Sequence, residues 1–440
     1  MMINLAFAII SSLVWILLAA YAGSAKRDFL HPAVVFSLLF AVSYPIKLTL
    51  SFYGFHVLNS MAVDDDIVLA SIVIFNVAGF AFVSPLLAQE PVLTTPRAFR
   101  LNAFSIYLLL TFAFLLLIAS HGINSVSAIF SREALISRIT ERGNERIGSG
   151  LTALLSEVGS FFLIVFAIKL AGQRALTRIF LWVFVIIYAW LALFITGSKY
   201  ETLFLPTIVF ICFYYERRMQ GVEILSFKRI TAGFSVLLML IGLTGYLRGH
   251  GGWTGADYHP FMLQSFYQLI NAFDAPDNLI VLLNRMGSWF TGDMGLALPR
   301  DYLVFQFIPR VVWAGKPIIQ GNQLVMQNYF PERFSGAAGE VISPSFPGEM
   351  MLTGGVIYMI IYSLVLGVGV RWIYQRSQNR GGLYFVAYLW ILVNIFNFLR
   401  SGTGAVGSFF LFMVVAIAIQ SIVNLISIVI DRAKVQRKPQ

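Results

Sequence analysis

The stretch from Phe307 to Pro317 (FIPRVVWAGKP) sets two cations, Arg310 and Lys316, between two prolines and beside Trp313. Pro309 and Pro317 stiffen the chain and push the residues before them away from helix, so both cations sit on a constrained loop. A guanidinium is a planar fork of donors that fits phosphate bidentately, and an ammonium adds a point charge, so an anionic headgroup is the natural ligand. The alternative is an interfacial anchor, which accounts for Trp313 and Arg310 but not for the proline-framed Lys316. A second cluster, Tyr246 to Trp253 (YLRGHGGW), carries Arg248 and His250 among glycines that let backbone approach a ligand; it reads equally as an exit turn with a snorkelling arginine. A third, Ser343 to Glu349 (SPSFPGE), leads through Thr353 into Gly354 and Gly355 and delivers a carboxylate to the start of an apolar run. Glu349 is then either a residue favoured by the helix dipole or, with desolvation moving a carboxyl toward neutrality, a general base toward a hydroxyl. His250 and Asp293 are its competitors for that role.

Other charges fall within or beside apolar runs, where they are expensive unless used or paired. Lys199 follows Thr196-Gly-Ser198, and Arg400 opens a tight hairpin through Gly404; both are candidate contacts for an anionic ligand. Lys47 and Glu157 read as a buried structural pair. There is no Walker A sequence, HExxH or His/Cys cluster, and the single cysteine, Cys212, lies in an apolar run. Asp64 to Asp66 reads as a solvated turn, so neither a metal site nor a cofactor is expected.

These residues must be held by membrane-spanning elements. Of 440 residues 58% are hydrophobic and 12% charged, against roughly 25% charged in soluble chains. The apolar residues come in blocks of about 20, the length that crosses a bilayer as helix and the reverse of a β-barrel's alternation. Blocks near 3–22, 32–54, 67–88, 103–121, 151–171, 179–196, 202–215, 230–247, 351–370, 383–399 and 405–430 give eleven spans in an all-α polytopic protein. The first is read as a retained span, since no basic residue precedes it and no small-residue cleavage pattern follows. With the N-terminus out and the C-terminus in, 17 of the 31 basic residues fall in inward loops, so the net charge of +10 is a topology signal and not a nucleic-acid footprint. Three regions follow: spans one to eight in 1–247, a large outward loop in 248–348, and the last three spans with a basic inward tail in 349–440. Within the loop, residues 261–273 and 278–290 have helical apolar spacing, with Asp277 as an N-cap, and are expected as amphipathic helices on the outer bilayer surface. Residues 124–150, with alternating Arg and Glu, are expected as another interfacial helix. No internal repeat is evident, which weighs against a transporter built from inverted repeats.

The chain resembles the Wzy-type O-antigen polymerases of bacteria, which join oligosaccharide repeat units. The likeness is carried by Ile308 to Pro317 (IPRVVWAGKP), by Pro347 to Met350 (PGEM) running into Gly354 and Gly355, and by many spans around one large periplasmic loop. It implies an inner-membrane polymerase similar to the C-type membrane glycosyltransferases. Such an enzyme moves a growing glycan from one undecaprenyl pyrophosphate onto the sugar end of another lipid-linked repeat unit. Arg248, Arg310, Lys316, Arg400 and Lys199, with Trp313, would then hold pyrophosphate and glycan, and Glu349 or His250 would act as base. Its partners would be undecaprenyl-pyrophosphate-linked oligosaccharides, membrane lipids and a chain-length regulator. The competing functions are a glycan ligase that transfers to lipid A core and a flippase for lipid-linked oligosaccharide.

Overall fold

A computed structural model describes residues 2–26, 28–53, 64–88, 111–113, 115, 150–171, 175–196, 199–219, 275–297, 344–400 and 402–436, with residues 300, 313, 325, 328, 329 and 331 singly. The described residues are helical throughout their long runs, as hydrocarbon demands, because only a helix satisfies each backbone N–H and C=O within its own segment. The helices are α1 (Met2–Lys26), α2 (Pro32–Ala41), α3 (Lys47–Phe52), α4 (Asp65–Leu87), α5 (Gly150–Ala171), α6 (Ala175–Thr196), α7 (Lys199–Met219), α8 (Ala275–Arg285), α9 (Phe346–Arg380), α10 (Leu383–Arg400) and α11 (Gly402–Gln436). Among the described residues five segments are long and apolar enough to cross a membrane: Met2–Lys26, Pro32–Phe52, Asp65–Leu87, Phe346–Arg380 and Gly404–Ile422. Nine of the eleven expected spans coincide with described helices; most of 103–121 and all of 230–247 lie outside the described residues, as do the expected helices at 124–149 and 261–273.

The second span is not regular. A π-helical turn, Val42–Ile46, joins α2 to α3 around Pro45, which has no N–H to donate. Lys47 follows this turn and is 1% exposed; its ammonium reaches Asp277 Oδ2 at 3.0 Å. This corrects the expected Lys47–Glu157 pair: Glu157 instead accepts a hydrogen bond from the Trp390 indole at 2.9 Å. It also corrects the reading of α8. That helix starts at Ala275, with Asp277 in its first turn instead of at the cap, and its apolar side meets protein. Leu279, Ile280, Leu282 and Leu283 are buried, because α8 packs its apolar face on α4 and α9. Gly348 of α9 lets it approach: a Cβ there would stand 3.0 Å from Leu282.

Contacts at the helix ends give relative direction. Asn4 Nδ2 donates to Asp65 O at 2.9 Å, and Lys26 Nζ donates to Ala88 O at 2.8 Å, so α1 and α4 run parallel. Beside Lys26, the fully buried Asp28 gathers Tyr214 (3.0 Å), Tyr374 (2.7 Å) and Arg218 (2.7 Å), all near the C-terminal ends of α7 and α9. Tyr388, early in α10, donates to Leu30 O. The senses of α1, α4, α7, α9 and α10 therefore follow the alternation read from the sequence. Asn4, Asp65, Lys47 and Asp277 mark one end of the bundle; Asp28 and its partners seal the other.

Candidate functional site

The site is built on a reversal inside α9. Phe346–Thr353 is one short helix and Val356–Arg380 a second; between them Gly354 (φ −157°, ψ 22°) and Gly355 (φ 72°, ψ −167°) leave helical geometry. In a straight helix Phe346 and Gly367 would stand roughly 31 Å apart. Both instead touch Phe82: the Phe346 ring lies 6.1 Å from the Phe82 ring, and a Cβ on Gly367 would fall 2.1 Å from Phe82 O. Glu349 likewise lies within electrostatic reach of Tyr358 and Tyr362, whose rings stack at 5.8 Å. The first arm thus folds back along the second, so α9 opens with a re-entrant helical hairpin. Non-helical backbone at membrane depth is tolerated only where protein covers it or a cavity takes it up.

A loop supplies that cover. Asp293 N and Met294 N donate to Leu352 O at 3.0 and 2.9 Å, and Val356 N donates to Trp289 O at 2.9 Å, replacing bonds that the broken helix forfeits. The approach needs glycine: a Cβ on Gly355 would lie 2.1 Å from Phe290 O, besides demanding a left-handed φ. Asp293 shapes the loop from within, its carboxylate accepting from Gly287 N (3.0 Å), Ser288 N (3.2 Å) and the Tyr329 phenol (2.8 Å). Burial first, then the hydrogen bond to Asp293 and its charge, hold the Tyr329 phenol above its ordinary pKa. Arg285 donates to Tyr329 O, and the Trp289 indole to Leu283 O at 3.0 Å, so α8, the loop and Tyr329 form one clamp. Asp293, a sequence-level rival for the base, is committed to this clamp.

Glu349 sits in the first turn of the re-entrant arm, fully buried. Ser345 caps that turn with φ 67°, its hydroxyl accepting from Gly348 N at 3.4 Å and its carbonyl from Glu349 N at 3.0 Å. Both readings of Glu349 thus meet at one place: it does stand at a helix N-terminus, and it is withdrawn from solvent. The α10–α11 turn reaches the same arm, for a Cβ on Gly402 would lie 2.7 Å from the Phe346 ring. This brings the Arg400 end of α10 beside the Glu349 arm. Lys199 opens α7, and Trp313 is 36% exposed. The side-chain positions of Lys199 and Arg400, and the whole of Arg248, His250, Arg310 and Lys316, lie outside the described residues. Among the described residues no group of three His, Cys, Asp or Glu side chains is placed to hold a metal ion.

Two constellations escaped the sequence. Asp28 follows Lys26 and Arg27, and nothing in its neighbourhood signals partners some 190 and 350 positions away. Lys47 reads as costly in an apolar run, but its partner lies in a segment whose sequence reads as extramembrane. The chain matches no family model and no solved structure.

Proposed function

We propose that this protein polymerises undecaprenyl-pyrophosphate-linked oligosaccharide repeat units into O-antigen or a related surface polysaccharide, at the periplasmic face of a bacterial inner membrane. One observation carries the reading. Pro347-Gly-Glu-Met350 and Gly354-Gly355, separate stretches of the sequence resemblance, are the first turn and the reversal of one re-entrant hairpin, with Glu349 buried in it. In the transfer, a hydroxyl oxygen of the acceptor sugar attacks the anomeric carbon of the growing chain. The hydroxyl proton passes to the Glu349 carboxylate, and undecaprenyl pyrophosphate departs with the electron pair of the broken C–O bond. Cations preorganised at the leaving group stabilise the charge that develops there, the role given to Arg248, Arg310, Lys316 and Arg400. The outward face is the end marked by Asn4, Asp65 and Asp277.

A second reading, transport of the lipid-linked oligosaccharide, is favoured by the broken helix itself, since discontinuous helices are a feature of transporters. A strain lacking the protein distinguishes them when its surface glycan is resolved by length. Loss of long chains with a single capped repeat retained fits polymerisation, and loss of every repeat at the surface fits transport. Glu349→Gln, expressed in that strain to normal abundance, should leave the single-repeat pattern while the protein still binds lipid-linked donor. Normal chain lengths from that variant would return Glu349 to a helix-terminal role.

A further inference from the structure

A groove of about 420 Å³ runs between α4 and the second arm of α9. One face of α4 lines it, through Asp66, Ala70, Val73 and Val77, and Trp289 and Met359 stand opposite. From Asp66 to Val77 the helix advances roughly 16 Å, which is half of a hydrocarbon core about 30 Å thick. The groove therefore has the length of one leaflet. Its walls are apolar, and Val73 and Val77 are 47% and 37% exposed, so it opens sideways where a bilayer would lie. Its polar end is Asp66, an exposed residue in the first turn of α4 and the charged member of the described lining. An anionic headgroup over this end meets the Asp66 carboxylate, whereas an ammonium meets complementary charge. Trp289, whose N–H is taken by Leu283 O, lines the groove.

We infer that this groove holds one acyl chain of a phospholipid bearing a primary amine, with the phosphoethanolamine headgroup over Asp66. The groove adjoins the clamp on the α9 reversal through Trp289, but the inference rests only on the chain lying in a bilayer.

The test uses the full-length protein in phosphatidylcholine vesicles doped with phosphatidylethanolamine or phosphatidylglycerol carrying brominated chains, which quench tryptophan on contact. The Trp289 contribution is the difference between wild type and Trp289→Phe. Half-quenching is expected at a several-fold lower mole fraction of the brominated phosphatidylethanolamine, and Asp66→Asn, at an exposed position, should abolish that preference. Native mass spectrometry makes the same comparison without altering Trp289: wild type should retain phosphatidylethanolamine over phosphatidylglycerol, and Asp66→Asn should not. Equal retention and equal quenching by the two lipids would overturn the proposal. So would a Trp289 signal that neither lipid quenches while Val73→Cys cross-links to a second copy of the chain.

Discussion

Glu349 and Arg310 carry opposite demands in the proposed reaction, one on a proton and one on a leaving charge, and their variants should separate. A base is needed for turnover and not for holding pyrophosphate, so Glu349→Gln loses the first and keeps the second. The role proposed for Arg310 is binding, where a planar fork matters as much as charge. Arg310→Ala should abolish polymer with protein abundance near normal, and Arg310→Lys should restore only part of it, both read from glycan ladders. Equal activity in the two variants and wild type would reduce Arg310 to an interfacial anchor beside Trp313. Asp28 is a different kind of residue: buried, paired with Arg218 and bonded by two phenols, it holds helix ends together. Removing Arg218, itself half-buried, leaves the buried Asp28 carboxylate to the two phenols alone and should destabilise the fold.

At the scale of elements, the decisive feature is the reversal in α9. Block hydrophobicity located this span within five residues of its observed start, because composition alone reports membrane residence. It did not report the reversal: Gly354-Gly355 reads as flexibility in a helix until the clamp from Trp289 to Met294 is seen filling the break. Nor did it report that α8 is buried, since an amphipathic helix has the same periodicity on a bilayer surface as against Gly348. The Lys47–Asp277 pair joins residues 230 positions apart, a separation at which local pattern is silent. In a Cys212→Ser background, Phe346→Cys and Ser363→Cys should be joined by a short bifunctional maleimide, because the two arms run side by side. A straight helix holds them roughly 26 Å apart, and modification at single sites without a cross-link would contradict the hairpin.

Across the whole molecule, helix direction and charge distribution address the same topology. The contacts of Asn4 with Asp65 and of Lys26 with Ala88 set relative direction, and the orientation proposed for the bundle comes from the sequence, which puts 17 basic residues in the loops expected to face inward. A cysteine placed at Gly321, again in Cys212→Ser, should react with an impermeant maleimide in intact inner-membrane-enclosed cells. Reaction only after the inner membrane is opened would invert the orientation and put the proposed chemistry on the wrong side. The most direct measurement gives purified protein in vesicles lipid-linked repeat units alone, with no ATP and no ion gradient. A ladder of lengthening glycan that disappears in Glu349→Gln is the predicted result. Movement of the lipid-linked unit across the bilayer without any ladder, or transfer only when core oligosaccharide is supplied, would contradict it.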